Sequence, residues 1–90
     1  MKGCIKYKDP DAKLDYGFNW SDWLDGDIIN GSTWIVPSGL TEISNSYSNT
    51  ITAIWLSGGT AGETYTVVNR ITTIGVRQDD RTITVIIKNK

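Results

Sequence analysis

Alternating apolar and polar residues, the period of a β-strand with one buried face, recur along most of the chain. In the segment KLDYGFNW, every second residue from Leu14 to Trp20 is large and apolar, whereas Asp15 and Asn19 fall on the opposite parity. This pattern predicts a half-buried strand. Because the spacing typical of an amphipathic helix is almost absent, the pattern favours an all-β fold.

Further strand-like stretches follow, and residues that favour turns separate them. The turns are SDWLDGD, Pro37-Ser38-Gly39, SGGTAGE and RQDD, and the strands are DIINGSTWIVP, LTEISNSYS, TITAIWL, TYTVVNRITTIGV and RTITVIIK. Asn30-Gly31 makes the first of these either two short strands around a tight turn or one strand broken by a bulge. In TITAIWL both parities are apolar, so both faces of that strand are expected to be partly covered. Six or seven strands at intervals of about 8–12 residues predict an antiparallel sandwich.

Tyr65 begins the penultimate strand directly after a turn of small residues, which resembles the tyrosine corner of Greek-key sandwiches. We therefore predict one small antiparallel Ig-like β-sandwich of about seven strands, with Greek-key connections, over residues 12–90. Residues 1–11, which include Asp9-Pro10-Asp11, are predicted to form a loose N-terminal arm.

A chain of 90 residues has a thin core, so large rings matter for its stability. Its single cysteine, Cys4, can form no internal disulfide. The predicted core residues are Tyr16, Phe18, Trp20, Trp34, Trp55, Tyr65, Val67, Ile83 and Val85. Trp23 breaks the alternation because it falls in the polar turn SDWLD. It either folds back as a lid over an open end of the sandwich or faces outward as an anchor for a partner, and the thin core favours the lid.

The sequence contains no recognisable catalytic site. The absence of histidine removes the commonest general base and the usual zinc ligand. Asp22, Asp25 and Asp27 lie together in DWLDGD and offer oxygen ligands for calcium, but the spacing of an EF-hand loop is missing. SGGTAGE lacks the lysine of a phosphate-binding P-loop. We predict that the protein is not an enzyme and has no cofactor and no metal site.

Charge and hydropathy restrict the partners. The net charge is −1 and the pI is about 5.1, which gives no electrostatic case for binding nucleic acid or an anionic membrane. Acidic residues flank the tryptophans, whereas single-stranded nucleic acid would favour basic ones. No apolar run is long enough to span a bilayer.

Three segments, DYGFNWSDWLDGDIINGSTW, WLSGGTAGETYTVVNRITT and DDRTITVIIK, together resemble a family of small phage-encoded β-sandwich virion proteins of the fibre–tail adaptor type. The resemblance extends from about Asp9 to Lys88. The chain departs from the family pattern at Asn19, where an acidic residue is expected before Trp20. The resemblance implies a rigid structural module that attaches to the neck, tail or fibre of a virion, or decorates its capsid.

Two functions follow as hypotheses. The first is a non-catalytic virion protein, made in the host cytoplasm and present in several copies, that binds other phage proteins of the tail, neck, fibre or capsid. Its candidate contact residues are Trp23, Asp22, Asp25 and Tyr7. The alternative is a carbohydrate-binding module in which Trp23 and Tyr47 stack on sugar rings.

Overall fold

Seven strands and one short helix make up the computed structural model, which describes residues 3–89. Along the chain the elements are β1 (Gly3–Lys8), β2 (Leu14–Asn19), α1 (Ser21–Leu24), β3 (Ile29–Ile35), β4 (Leu40–Tyr47), β5 (Ile51–Gly58), β6 (Thr64–Thr73) and β7 (Gln78–Ile87). They form a four-stranded sheet in the order β1-β7-β6-β3 and a three-stranded sheet in the order β2-β5-β4. The predicted Ig-like β-sandwich is confirmed.

The predicted loose arm is wrong for residues 3–8, which form the edge strand β1. This strand runs parallel to β7, with a register from Gly3↔Thr82 to Lys8↔Ile87, so the sandwich is not wholly antiparallel. Lys8 faces inward and is buried, and its Nζ donates hydrogen bonds to the carbonyl oxygens of Gly58 at 2.6 Å and Asp9 at 2.9 Å. Alternation of apolar and polar residues does not predict this strand, because one of its inward positions is a lysine. The aliphatic part of the Lys8 side chain can be buried while its amine reaches a polar partner.

Some sequence predictions lie outside the described residues. These are residues 1 and 2 of the predicted arm, residue 90 of the predicted sandwich, and the side chain of Cys4.

Two neighbouring clusters of side chains fill the space between the sheets. The larger contains Tyr16, Trp34, Leu40, Ile54, Leu56, Val67, Ile83, Val85 and Ile87, and the smaller contains Trp20, Leu24, Ile29 and Ile71. Phe18 is partly buried and joins them, since its ring stacks on Trp34 with centroids 6.1 Å apart and meets the Trp20 ring edge-on at 6.2 Å. Tyr65 is also partly buried against the larger cluster. Eight of the nine residues predicted for the core therefore lie in it or pack against it.

Trp55 is the exception, because 45% of its surface is exposed. Strand β5 buries the other parity, on which Thr52, Ile54 and Leu56 are fully buried. Trp55 pairs with Asp15 on the outer face of the three-stranded sheet. Both parities of TITAIWL are apolar, so alternation alone could not tell which face turns inward.

The tyrosine corner is confirmed by a hydrogen bond between Tyr65 and the preceding turn. The phenolic oxygen of Tyr65 accepts from the backbone N–H of Thr60 at 3.1 Å. Gly39 lies against the same ring with a φ of 105°, and a Cβ atom there would come within 2.6 Å of the ring. Glycine is thus needed at this position both for its backbone angle and for its lack of a side chain.

Two local predictions are settled by the strand pairing. The register of β3 against β6 shifts between Ile29 and Gly31, so the Asn30-Gly31 stretch is a bulge in one strand and not a hairpin. The turn predicted at RQDD lies earlier, at residues 74–77, because β7 already begins at Gln78.

Candidate functional site

Three connections meet at one end of the sandwich, which we call the loop end. They are the β2–β3 connection with α1 and residues 25–28, the β4–β5 turn at residues 48–50, and the β6–β7 turn at residues 74–77. Backbone hydrogen bonds join them: Trp20 N–H donates to the Thr50 carbonyl, and Ile74 N–H donates to the Ile28 carbonyl. The corresponding end of antibody variable domains carries the binding loops.

Trp23 folds back over the core at this end. It lies on the short helix α1, which is fastened by Leu24, a residue only 1% exposed. The edge of one indole meets the face of the other, since the ring centroids of Trp23 and Trp20 are 5.5 Å apart at an interplanar angle of 75°. Because Trp23 is only partly buried, it covers Trp20 and still has an outer surface in solvent.

A buried polar network fixes Trp20 from below. Its Nε1–H points at Thr52 Oγ1, 3.3 Å away, and at Asn69 Oδ1, 3.2 Å away. The Thr52 hydroxyl donates to the same Asn69 oxygen at 2.7 Å. Asn69 Nδ2 donates to Ser32 Oγ at 3.0 Å and to the Thr33 carbonyl at 3.2 Å. This network ties β2, β5, β6 and β3 together directly beneath the loop end.

Arg77 fastens the β6–β7 turn to the helix. Its guanidinium carbon lies 4.2 Å from the centroid of the Trp23 ring, within the range of a cation–π contact. Its Nη2 donates to the Leu24 carbonyl at 2.6 Å, and its Nε donates to Asp27 Oδ2 at 3.1 Å. The turn and α1 are therefore held as one unit.

Asp27 is the acceptor at the centre of this unit. Its carboxylate receives the backbone N–H groups of Ile28 at 2.8 Å and Gly75 at 3.0 Å, in addition to Arg77. A hydrogen bond from the Thr73 side chain, together with these donors, holds the pKa of the Asp27 carboxyl well below its usual range. A Cβ at Gly75 would come within 2.6 Å of the carboxylate, so only glycine allows this approach.

The tip of the β6–β7 turn presents two bare apolar side chains. Ile74 is 62% exposed and Val76 is 93% exposed. Val76 also has a φ of 64°, in the left-handed region that a β-branched residue rarely adopts. The sequence pattern does not predict this feature, because the turn residues RQDD lie later in the chain. The triplet Ile74-Gly75-Val76 was the available signal, since a glycine between two strand residues marks a turn or bulge.

The predicted contact residues divide between the two ends of the molecule. Asp22, Trp23 and Asp25 all lie at the loop end, on α1 or at its C-cap, and both aspartates are exposed. Tyr7 lies on the outer face of β1 beside Ile86, near the opposite end, where the Lys88 ammonium lies 4.9 Å from the centroid of its ring. The structure thus brings three of the four together.

Two further features of the loop end are its acidic side chains and a pocket. Among residues 3–89, no three histidine, cysteine or acidic side chains are grouped closely enough to hold a metal ion, and the Asp27 carboxylate is paired with Arg77. A pocket of about 350 Å³ beside the β6–β7 turn is lined by Asn30, Thr72, Thr73, Ile74, Val76, Arg77 and Gln78.

The shifted pKa values elsewhere have structural causes. Burial raises the pKa of the Tyr16 phenol, and burial lowers the pKa of the Lys8 ammonium.

In the described part of the chain no helix has the length and apolar character needed to cross a membrane.

Comparison with known proteins gives one family and one fold. The family model described as podophage GP4 fiber-tail adaptor protein gp77 matches residues 8–86. The solution structure of the PKD domain from the KIAA 1837 protein is similar with a TM-score of 0.56 and 16% identity, over 100% of this chain and 83% of that one. At this identity the similarity supports the sandwich fold alone. No curated protein matches the chain.

Proposed function

Because the chain belongs to the podophage GP4 fiber-tail adaptor family, we propose that it acts without catalysis, through direct contacts between its loop end and other virion proteins. The observation that carries the proposal is the family match over residues 8–86, which includes β2 to β6, nearly all of β7 and all three connections of the loop end. Family membership makes the chain a phage structural protein of the fibre–tail junction.

The construction of the loop end supports a role in contact. The Asp27–Arg77 pair, the Trp23 stack and the buried Asn69 network hold the loops in place before any partner arrives. A preorganised surface loses less conformational freedom on binding, which favours affinity. Trp23 then serves both as a lid over the core and as an anchor for a partner, since a partner can cover its outer surface.

The finer features of the function are proposals as well. Several copies surround a symmetric tail or neck, and each is made in the host cytoplasm before assembly. Nucleic acid is not a partner, because a net charge of −1 offers no attraction for phosphates.

The carbohydrate-binding alternative needs aromatic rings with open faces on a shared surface. Instead, the Arg77 guanidinium covers one face of Trp23. The Tyr47 hydroxyl donates to the Asn30 carbonyl of β3 at 3.1 Å, whereas Trp55 lies on the outer face of the three-stranded sheet. This placement favours a protein partner over a sugar.

The test is a charge reversal in the parent phage, scored by how much of the chain purified virions contain. Replacing Asp22 and Asp25 by lysine changes exposed carboxylates at the loop end and should lower incorporation. The matched control reverses Asp11 and Asp15, which are also exposed but lie away from the loop end. If both double variants enter virions as the unaltered chain does, the loop end is not the contact surface. If the unaltered chain is found only in the soluble fraction of lysates, the adaptor role itself is contradicted.

A further inference from the structure

The β6–β7 turn carries an apolar projection that has no function inside the molecule. We call Ile74 and Val76, with the turn at residues 74–77 that displays them, the hairpin knob. Val76 is 93% exposed and Ile74 is 62% exposed, and Ile28 at the base of the knob is 36% exposed. A cluster of exposed apolar side chains beyond what a core requires typically marks a contact surface.

The backbone of Val76 makes the placement costly. Its φ of 64° is energetically unfavourable for any residue with a Cβ atom and more so for a β-branched one. Glycine at this position would be free of this strain. The side chain of Val76 does not offset the strain by packing, because it buries almost no surface in the folded chain. Strain of this kind at an exposed position points to a use of the side chain outside the folded chain.

The knob is also held rigidly. Within the turn, Val76 N–H donates to the Thr73 carbonyl and Arg77 N–H donates to Thr73 Oγ1, both at 3.0 Å. From outside the turn, Asp27 accepts the Gly75 N–H, and Arg77 binds the Leu24 carbonyl. The apolar tip is therefore presented in a fixed orientation, which is how binding hot spots lower their entropic cost.

The charges around the knob indicate which charges should surround its binding site on the partner protein. Arg77 is neutralised by Asp27 in the ion pair described above, and Arg70 is neutralised by Asp80. Asp22 and Asp25 are exposed, and within residues 3–89 neither carboxylate forms an ion pair. Arg81 keeps its positive charge at this end, with its guanidinium carbon 4.1 Å from the centroid of the Trp20 ring. The two exposed carboxylates lie on α1 and at its C-cap, which Arg77 fastens to the knob, and their excess of negative charge is complementary to basic side chains on a partner.

We propose that the hairpin knob inserts into an apolar socket, rimmed by lysine or arginine side chains, on the tail or fibre protein that this chain joins. The inference rests on the proposed adaptor function and deepens it by naming the inserted residues and the chemistry of the recipient surface. Two aliphatic side chains held on a rigid, exposed turn suit insertion between apolar side chains of a partner.

The experiment supplies variants in trans to a parent phage whose own copy of the gene is disrupted. The copy number of the chain in purified virions is then measured by quantitative mass spectrometry. Val76→Gly removes the side chain and keeps the turn, because glycine accepts a φ of 64°. Ile74→Ser removes the second apolar group. The matched control is Ile43→Ser, which removes an isoleucine that is also exposed, at 50% against 62% for Ile74, from strand β4.

We expect Val76→Gly and Ile74→Ser each to lower incorporation, or affinity for particles assembled without the chain, by about tenfold or more, the usual effect of losing a hot-spot residue. Ile43→Ser should behave as the unaltered chain does. The melting temperature of Val76→Gly should equal or exceed that of the unaltered chain. Stability that is kept while incorporation falls distinguishes a binding role from a structural one.

Each other outcome overturns a specific part of the proposal. Normal incorporation of both knob variants, with the unaltered chain present in virions, refutes the socket and leaves the adaptor function standing. Equal loss with Ile43→Ser also refutes it, because the effect is then not specific to the knob. If the knob variants lose incorporation but reversal of Asp22 and Asp25 raises it, the basic rim is wrong. Absence of the unaltered chain from virions refutes the adaptor function itself.

Discussion

Asn69 is the buried polar residue whose replacement tests the core most sharply. Its side chain is completely buried and makes four hydrogen bonds, two accepted by Oδ1 from Trp20 and Thr52 and two donated by Nδ2 to Ser32 and Thr33. Replacement by leucine keeps the number and branching of the side-chain heavy atoms, adds bulk because two methyl groups replace the amide oxygen and nitrogen, and removes all four interactions. The variant Asn69→Leu therefore tests the polar network together with the cost of fitting a larger side chain.

The expected loss of stability follows from these contacts. A hydrogen bond contributes roughly 0.5–1.5 kcal/mol net, and a buried group left without a partner costs roughly 1–3 kcal/mol. Trp20 Nε1 can still reach Thr52, which softens the effect, whereas the Thr52 hydroxyl and the Thr33 carbonyl lose this partner. We expect Asn69→Leu to lower the free energy of unfolding by roughly 2–4 kcal/mol. A chain of this size has about 5–13 kcal/mol in total, so the variant should remain folded but be clearly weakened.

The assay is urea unfolding at neutral pH, followed by far-ultraviolet circular dichroism and analysed by linear extrapolation. The matched control is Asn45→Leu, at an exposed position on β4, which should change the unfolding free energy by no more than about 0.5 kcal/mol. A loss below about 1 kcal/mol for Asn69→Leu, with an unchanged urea slope, would refute the reasoning. It would mean that apolar packing alone holds Trp20 and the loop end in place.

Three further predictions concern single side chains. Trp34→Ala should lower the free energy of unfolding by roughly 3–5 kcal/mol, because it leaves a cavity in the larger core cluster. Trp55→Ala, on the outer face, should lower it by about 1 kcal/mol or less. Chemical denaturation of the two variants compares these losses directly. Tyr65→Phe should cost about 1 kcal/mol, because the N–H of Thr60 loses its acceptor, and thermal melts would show an unchanged midpoint if the corner contributes nothing. Asp27 has a lowered folded-state pKa, so its stabilisation is complete above the ordinary aspartate pKa of about 4 and is lost as pH falls below it. The melting temperature should therefore drop more steeply on acidification in the unaltered chain than in Asp27→Asn, and parallel pH profiles would show that the Asp27 carboxylate does not stabilise the fold.

Much of the fold could be predicted from the sequence because its signals are local. Leu14 to Trp20 alternate cleanly and lie on β2 or directly after it. The small-residue turn before Tyr65 marks a tyrosine corner, and the structure has its hydrogen bond. Trp34 lies in a strand with one apolar side facing the core, and it is 8% exposed.

The failures arose where the deciding information is tertiary. Trp55 lies in a strand with two apolar parities, and only pairing with β2 and β4 decides which one is buried. The sequence pattern places Lys8 in a polar arm, because nothing local shows that its Nζ donates a hydrogen bond to the Gly58 carbonyl. Val76 ends the segment TYTVVNRITTIGV, whose pattern predicts one long strand; only Gly75 signals the turn, and no local pattern predicts a positive φ in a β-branched residue.

The candidate site was predicted in part for the same reason. Asp22, Trp23 and Asp25 are adjacent in sequence, so their grouping at one surface was accessible from the pattern. Arg77 and the hairpin knob reach the same surface from more than fifty residues away, as the Arg77–Trp23 contact shows. Only the pairing of β3 with β6, which sets Ile29 opposite Thr73, brings the two regions together.

The most direct test of the adaptor account is a cryo-EM map of the parent particle at a resolution that shows side chains. The account predicts density for this chain between tail and fibre, with the loop end against a neighbouring virion protein and Val76 enclosed by apolar side chains. A map in which the chain occupies that junction with its loop end facing solvent, or in which the chain is missing from the particle, would contradict it.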